Sequence, residues 1–287
     1  MKLFWDVLLY VLTSKPYYSM NITLERPFAA TEKGRRKNNE DYIYPLSELV
    51  NSEQRLFMVC DGVGGAERGE VASALACDSF QTFFNTFLDE DDPSEDFINR
   101  AVHYTESRFD EYISQHPEAV GMATTMTLLY VGVSRITIAH IGDSRVYQFR
   151  GGQAIYKTDD HSLVNSWVKL GIITKDEAAV HPKKNVITRA IMGAKNSVCA
   201  DVAFITDVQD GDVFFMCTDG VTECFSDEKL KNTILQERSA ESIKDGIFEY
   251  CSKESNDNFS FYILPVQSIQ KMTGYKQYLL SFFYSFA

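Results

Sequence analysis

Periodic spacing of apolar residues predicts two adjacent helices in the first half of the chain. Over residues 70–88, apolar residues recur at steps of three or four, as one buried helical face requires. These residues are Ala72, Ala76, Phe80, Phe83 and Phe87. An acidic break at 89–93 follows, and the same period then predicts a second helix over Glu95–Gln115.

Short segments rich in β-branched and aromatic residues, separated by Gly or Ser, then predict an antiparallel meander. They are Thr124–Val131, Arg135–His140 and Arg145–Phe149. Two further strands are predicted at Val213–Cys217 and Phe259–Leu264, and two further helices at Asp227–Gln236 and Ala240–Cys251. Because strands and helices come in runs without regular alternation, we predict an α+β layered domain.

The chain has 287 residues and no internal repeat or flexible linker, so we predict one domain over 29–266. Residues 1–28 are a lead-in and residues 267–287 a tail. The apolar stretch Met1–Leu12 is interrupted by an acidic residue and lacks a nearby cleavage site, so we do not interpret it as a signal peptide. The tail's apolar run, Tyr278–Tyr284, is far shorter than the roughly 20 residues that cross a bilayer. We expect no integral membrane span, and a tail that docks on the domain or on a partner.

Charge and cysteine usage narrow the possible partners and compartment. The 28 basic and 40 acidic residues give a net charge of −12, which repels phosphate backbones, so we predict no nucleic-acid partner. Six cysteines occur without a Cys-x-x-Cys pair, and several lie inside apolar runs, which indicates buried, reduced thiols. This favours a reducing compartment, and we predict a cytoplasmic location.

Four aspartates lie at the ends of predicted strands. Asp61, Asp143 and Asp219 each follow an apolar run, and Asp257 comes shortly before the last predicted strand. Any one of them alone is most simply an ordinary turn residue. Four carboxylates that converge at fixed positions would repel one another strongly without a cation, so together they predict a divalent metal site.

Seven segments carry a further signal through their residues and their order. They are Arg36–Asp41, Asp61–Gly65 with Gly69–Ser73, Gly142–Tyr147, Asp160–Val164, Ile187–Ala190 before Gly193, Cys217–Gly220 and Asn256–Asn258. The set resembles the metal-dependent protein Ser/Thr phosphatases of the PPM family (type 2C), bacterial branch, over nearly all of 29–266. The resemblance implies an α+β fold that is a four-layer αββα sandwich, with two antiparallel sheets flanked by helices.

The resemblance also implies two Mn²⁺ or Mg²⁺ ions at one end of the sandwich. Asp61 is expected to bridge both ions and the Gly62 carbonyl to contact one, while Asp219 and Asp257 hold the other. The implied reaction is hydrolysis of phosphoserine and phosphothreonine by a hydroxide that bridges the ions. Phosphorylated proteins are the expected partners, with an opposing Ser/Thr kinase, and we expect a monomer.

Five further residues complete the implied site. Glu40 and Asp41 are expected to act mainly through metal-bound water, and Asp143 with Glu223 to match a third, weaker metal position. Arg36 is expected to present its planar guanidinium group to two phosphate oxygens. Considered without the resemblance, Arg36 is equally well one of three adjacent solvated cations.

Two positions depart from the family pattern. Many eukaryotic members carry a His directly after Asp-Gly, and bacterial members carry one after Gly-Gly, whereas this chain has Val63 and Ala66 there. The acid that protonates the leaving group is therefore unassigned. His161 lies in a matching segment, but a single loop His is more often a structural hydrogen-bonding residue.

Two alternatives stay open from the sequence. Residues 161–193 resemble the flap segment beside the site in bacterial relatives, which could select substrates; a simple helical connection explains them equally well. The alternative function is a catalytically weak relative that binds phosphoproteins or regulates them. The complete set of Asp61, Asp219 and Asp257 argues against this alternative, because degenerate relatives generally lose metal ligands.

Overall fold

The computed structural model describes residues 18–63, 68–236 and 239–273. The apolar stretch at the start of the chain, the glycines at 64–65 with Ala66, and the tail beyond Thr273 lie outside the described residues. No helix within the described ranges has the length and apolarity needed to cross a membrane.

Two antiparallel sheets, each six-stranded within the described ranges, form the centre of the fold. The first sheet has the order β1-β12-β11-β8-β9, and β2 also pairs with β12. Its strands are β1 (Tyr18–Leu24), β2 (Phe28–Glu32), β8 (Arg145–Arg150), β9 (Gln153–Lys157), β11 (Val213–Cys217) and β12 (Phe259–Thr273). The second sheet has the order β10-β7-β6-β4-β3, and β5 pairs with β4. Its strands are β3 (Asp41–Tyr44), β4 (Leu56–Val63), β5 (Ala123–Thr124), β6 (Met126–Val131), β7 (Ile136–Ile141) and β10 (Asp201–Ile205).

Helices cover the outer faces of both sheets. The second sheet is covered by α1 (Gly69–Phe87) and α2 (Glu95–Gln115), whose first turn is capped by the Ser94 hydroxyl accepting from the Phe97 N–H. The first sheet is covered by α6 (Asp227–Gln236) and α7 (Ala240–Glu254). Three short α-helices are also described: α3 (Leu163–Lys169), α4 (Lys175–Ala179) and α5 (Asp219–Thr222). Two 3₁₀ turns lie at Pro117–Ala119 and Ala194–Asn196.

Successive side chains of strand β4 point alternately into two apolar clusters, which shows how the layers form. Phe57 and Val59 pack between the two sheets, while Met58 and Cys60 pack against α1 and α2. The period of two therefore buries both faces of this strand. With a third apolar cluster between the first sheet and α6 and α7, the predicted αββα sandwich is confirmed.

Three elements differ from the predicted bounds. The strand predicted over Thr124–Val131 is interrupted at Thr125, whose N–H donates to the Asp61 carbonyl instead of continuing the ladder. Strand β12 runs on to Thr273 because β1 pairs with its second half, so the sheet extends on both sides of 29–266. The proposed flap, 161–193, folds into α3, α4 and connecting turns, and the domain bounds stay a prediction.

Candidate active site

Strand ends from both sheets bring the predicted aspartates to one end of the sandwich. Asp41 opens β3 and lies opposite Asp61 near the end of β4. Asp219 follows β11 as the first residue of α5, and Asp257 comes just before β12. Asp143 lies in the turn between β7 and β8. A cleft of about 550 Å³ is lined by Asp61, Asp143, Asp219 and Asp257, together with Arg36, Glu40 and Gly62.

Asp61 and Asp219 both line the cleft, and the charge of Asp219 acts on Asp61. Burial, and then the charge of Asp219, raises the pKa of Asp61 well above its ordinary value. Burial and the charge of Asp257 raise the pKa of Asp219. Neighbouring buried carboxylates repel each other unless a proton or a cation offsets their charge.

Asp41 contributes a buried oxygen without a partner. Its Oδ2 accepts a hydrogen bond of 2.9 Å from the Thr218 hydroxyl, whereas its Oδ1 has no hydrogen-bond partner among the described residues. Burial raises the pKa of Asp41 to about 8. Such a group is costly to bury unless water or a cation completes its bonding. The all-oxygen donor set and this orphaned atom fit a hard divalent cation such as Mg²⁺ or Mn²⁺.

Gly62 allows the backbone to approach closely beside Asp61. A side chain at this position would overlap the carbonyl oxygen of Gly69 at the start of α1, and its Cβ would lie 2.7 Å from the Glu40 carbonyl oxygen. The Gly62 N–H donates to that same Glu40 carbonyl at 2.9 Å. The sequence Asp-Gly is therefore a packing requirement here as well as a turn signal.

Asn258 fixes the loop that carries Arg36 and Glu40. Its Oδ1 accepts from the Glu40 N–H, and its Nδ2 donates to the carbonyls of Lys33 and Asn38, each at 2.8 to 2.9 Å. We did not predict this role from the sequence, where the only signal is an Asp-Asn pair before a strand. The partners lie more than 200 residues away along the chain.

Arg36 lies at the mouth of the cleft, with 57% of its side chain exposed. Its Nη2 donates to Asp257 Oδ2 at 2.6 Å, so this guanidinium is tied to the acidic cluster. This bond favours a role for Arg36 in the site over the interpretation of a freely solvated cation, and that role stays a prediction.

Asp143 and Glu223 line a second, larger groove that opens beside the cleft and has a volume of about 780 Å³. Burial, and then the charge of Asp219, raises the pKa of Asp143 to about 7. Glu223 is held by its Oε2 accepting from the Asn256 N–H at 3.3 Å. Helices α3 and α4, which lie in the proposed flap, form one wall of this groove.

His161 is buried, and both ring nitrogens have partners. Nδ1 accepts from the Gly142 N–H at 3.1 Å, and Nε2 lies 3.1 Å from Asp201 Oδ2. Because Nδ1 accepts, the proton of the neutral ring is on Nε2 and faces Asp201. Burial lowers the pKa of His161. The structure agrees with a hydrogen-bonding role and gives no free proton for an acid.

Comparison with known proteins identifies the fold and the family. Residues 33–260 match the family model described as protein phosphatase 2C. The chain belongs to this family. It is 32% identical over 226 residues to the serine/threonine protein phosphatase PstP of Mycobacterium tuberculosis, covering 77% of this chain and 41% of PstP. It is also 32% identical over 204 residues to the protein phosphatase PhpP of Streptococcus pneumoniae, covering 70% of this chain and 80% of PhpP.

The chain thus spans about two-fifths of the length of PstP, one of the curated relatives that it matches. Among solved structures, the catalytic domain of PstP in complex with two manganese ions superposes with a TM-score of 0.68 at 27% identity. This superposition covers 88% of the present chain and all of the PstP domain.

Proposed function

We propose that this chain is a metal-dependent protein serine/threonine phosphatase that hydrolyses phosphoserine and phosphothreonine. The observation that carries the proposal is the convergence of Asp61, Asp143, Asp219 and Asp257 in one cleft whose mouth holds Arg36. An acidic cluster alone would repel a phosphate ester. Bound cations reverse that charge, and a guanidinium adds a donor for phosphate oxygens.

The proposed ligands follow the family pattern and agree with the donor chemistry of the cleft. Asp61 would bridge two Mn²⁺ or Mg²⁺ ions, the Gly62 carbonyl would contact one, and Asp219 and Asp257 would hold the other. Glu40 and Asp41 would act through ordered water, which gives the orphaned Oδ1 of Asp41 a partner. A third, weaker ion would lie at Asp143 with Glu223.

When bound, such ions supply a water of lowered pKa and offset the negative charge on the phosphoryl oxygens. The chain's own residues orient the substrate. Arg36 exchanges its bond with Asp257 for one or two phosphate oxygens, which it can do because it is exposed at the mouth. Val63 stands where many relatives carry a His, so the leaving alkoxide takes its proton from solvent in the groove.

The proposed substrates are phosphorylated proteins, since both curated relatives named above are protein phosphatases. A Ser/Thr kinase that opposes this enzyme is part of the proposal, as are a monomeric state and a cytoplasmic location. All six cysteines are free, and four of them are buried. This supports a reducing compartment.

Phosphate release from a phosphothreonine peptide, with and without Mn²⁺, tests the proposal. We expect release that depends on the added metal, is abolished by excess chelator and is lost in Asp61→Asn. Asp89→Asn, in the exposed acidic loop between α1 and α2, is the matched control and should behave as the wild type. Turnover that persists in chelator would overturn the metal requirement. Metal-dependent peptide binding without release would instead support the binding-only alternative.

A further inference from the structure

His161 is bonded to both backbone polar groups of Gly142, the residue before Asp143. The Gly142 N–H donates to the ring Nδ1 of His161 at 3.1 Å, and the backbone N–H of His161 donates to the Gly142 carbonyl at 2.9 Å. Gly142 has φ +102°, and a Cβ there would lie 2.6 Å from Thr125 Cγ2. The turn that carries Asp143 is therefore held between Thr125 on one side and His161 on the other.

The other edge of the His161 ring faces a second pair of charged residues. Its Nε2 lies 3.1 Å from Asp201 Oδ2, and the Oδ1 of Asp201 accepts from Arg189 Nη1 at 2.6 Å. The His161 carbonyl also accepts from the Thr188 N–H at 2.7 Å. His161 is the first residue of the proposed flap, 161–193, and residues 188 and 189 lie near its end, so His161 joins both ends of this segment to the Asp143 turn.

The group formed by His140, His161 and Asp201 has ligand atoms within 4.8 Å of one another, which is a spacing compatible with a metal ion. The ring geometry argues against this use. The two imidazoles stack at 4.5 Å with planes 19° apart, so their in-plane lone pairs do not converge on one point. The Arg189 guanidinium also lies 3.2 Å from His161 Nε2, where an ion would have to bind.

We propose that His161 is a positioning residue for the phosphatase reaction. Its Nδ1 fixes the turn that places Asp143 beside the cleft, and Asp201 orients the ring by accepting a hydrogen bond from the Nε2–H. This proposal rests on the proposed function, because it assumes that Asp143 takes part in turnover.

Two substitutions test the two ring nitrogens of His161 separately. His161→Asn retains an acceptor, Oδ1, at the position of Nδ1, whereas His161→Gln retains a donor, Nε2, at the position of Nε2 and loses the acceptor. We expect His161→Gln to accelerate amide exchange of Gly142 and to lower kcat, each by about tenfold, with little change in KM. His161→Asn keeps the acceptor for the Gly142 N–H but loses the contact with Asp201, so it should change both measurements much less than His161→Gln does.

Amide exchange is followed by NMR on the metal-free protein, and kcat and KM are measured with Mn²⁺ and a phosphothreonine peptide. Equal effects of the two substitutions on exchange and on kcat would reduce His161 to a packing role and overturn the proposal. Loss of kcat in both variants with Gly142 exchange unchanged would also overturn it and indicate proton transfer by the ring. A wild type without phosphatase activity would refute the proposed function, while the exchange measurement would still test the bond from Gly142 to His161.

Discussion

Arg36 Nη2 donates to Asp257 Oδ2 at 2.6 Å, so the proposed phosphate ligand and a proposed metal ligand are bonded to each other. Each group offsets the charge of the other in the absence of substrate. The pair is half-exposed, and such pairs contribute little to stability because water and salt screen them. The contact therefore positions Arg36 over the cleft without locking it there.

Replacing Arg36 should weaken substrate binding more than catalysis. We expect Arg36→Ala to raise KM for a phosphothreonine peptide by a ΔΔG of roughly 1.5 to 3 kcal/mol, because a charged hydrogen bond to phosphate is lost. Steady-state kinetics measures this. Arg35→Ala is the matched control, since Arg35 bonds to Asn256 and the Lys253 carbonyl. If the two variants have the same KM, Arg36 does not bind the phosphate.

Substitutions of the aspartates should fall into two groups by their effect on the affinity of the protein for Mn²⁺. Asp61→Asn, Asp219→Asn and Asp257→Asn should each remove nearly all turnover and the tight binding of Mn²⁺, because each removes a charge from the central cluster. Asp143→Asn should reduce turnover but leave the tight binding intact. Isothermal titration calorimetry with Mn²⁺ measures both. Loss of tight binding in Asp143→Asn would place this residue among the central ligands.

The metal-free protein should lose stability as the pH rises. Burial raises the pKa of Asp41 to about 8 and of Asp143 to about 7, whereas an unfolded Asp titrates near 3.9. The folded state therefore binds more protons than the unfolded state between about pH 4 and pH 8, so the free energy of unfolding falls across that interval. We expect a lower Tm in chelator at about pH 8 than at about pH 5.

Saturating Mn²⁺ should remove this pH-dependent fall in the free energy of unfolding. The ions take the place of the protons and bind better as the carboxyl groups ionise. Thermal melts with and without metal give the comparison. Asp41→Asn should flatten the profile measured in chelator. A chelated wild-type protein whose Tm rises over the same interval would contradict the assignment of these raised pKa values.

Local patterns in the sequence predicted the α+β layers, and the family resemblance supplied the four-layer sandwich. The roles of the acidic residues stay a prediction, although their positions depend on local patterns too. Asp61 and Asp219 follow apolar strands, and strand ends of a sandwich meet at its edge, so their convergence could be inferred. The hydrogen bonds from Asn258 to the loop at 33–40 could not be inferred, because these partners become its neighbours only after β12 joins the first sheet. The same holds for β1, whose partner residues on β12 are about 250 positions away along the chain.

Val63 determines how the leaving group is expected to behave. General acid catalysis is typically worth about 10²- to 10⁴-fold, and it matters only for a leaving group that is poorly stabilised as an anion. Nitrophenolate needs no proton, whereas the alkoxides of serine and threonine do. We therefore expect kcat to fall steeply from nitrophenyl phosphate to a phosphothreonine peptide at saturating Mn²⁺. His161→Gln should lower both rates alike, because it moves the Asp143 turn and supplies no proton.

An added acid at position 63 should reduce the preference for nitrophenyl phosphate over the phosphothreonine peptide. Val63→His should raise kcat for the phosphothreonine peptide relative to nitrophenyl phosphate, because an imidazolium beside the Asp61 end of β4 can protonate the alkoxide. Val63→Asn, which is polar but cannot act as an acid near neutral pH, is the matched control and should leave the ratio unchanged. A ratio near one in the wild type would show that the chain already holds an acid near the leaving group. A loss of peptide turnover alone in His161→Gln would identify that acid as His161.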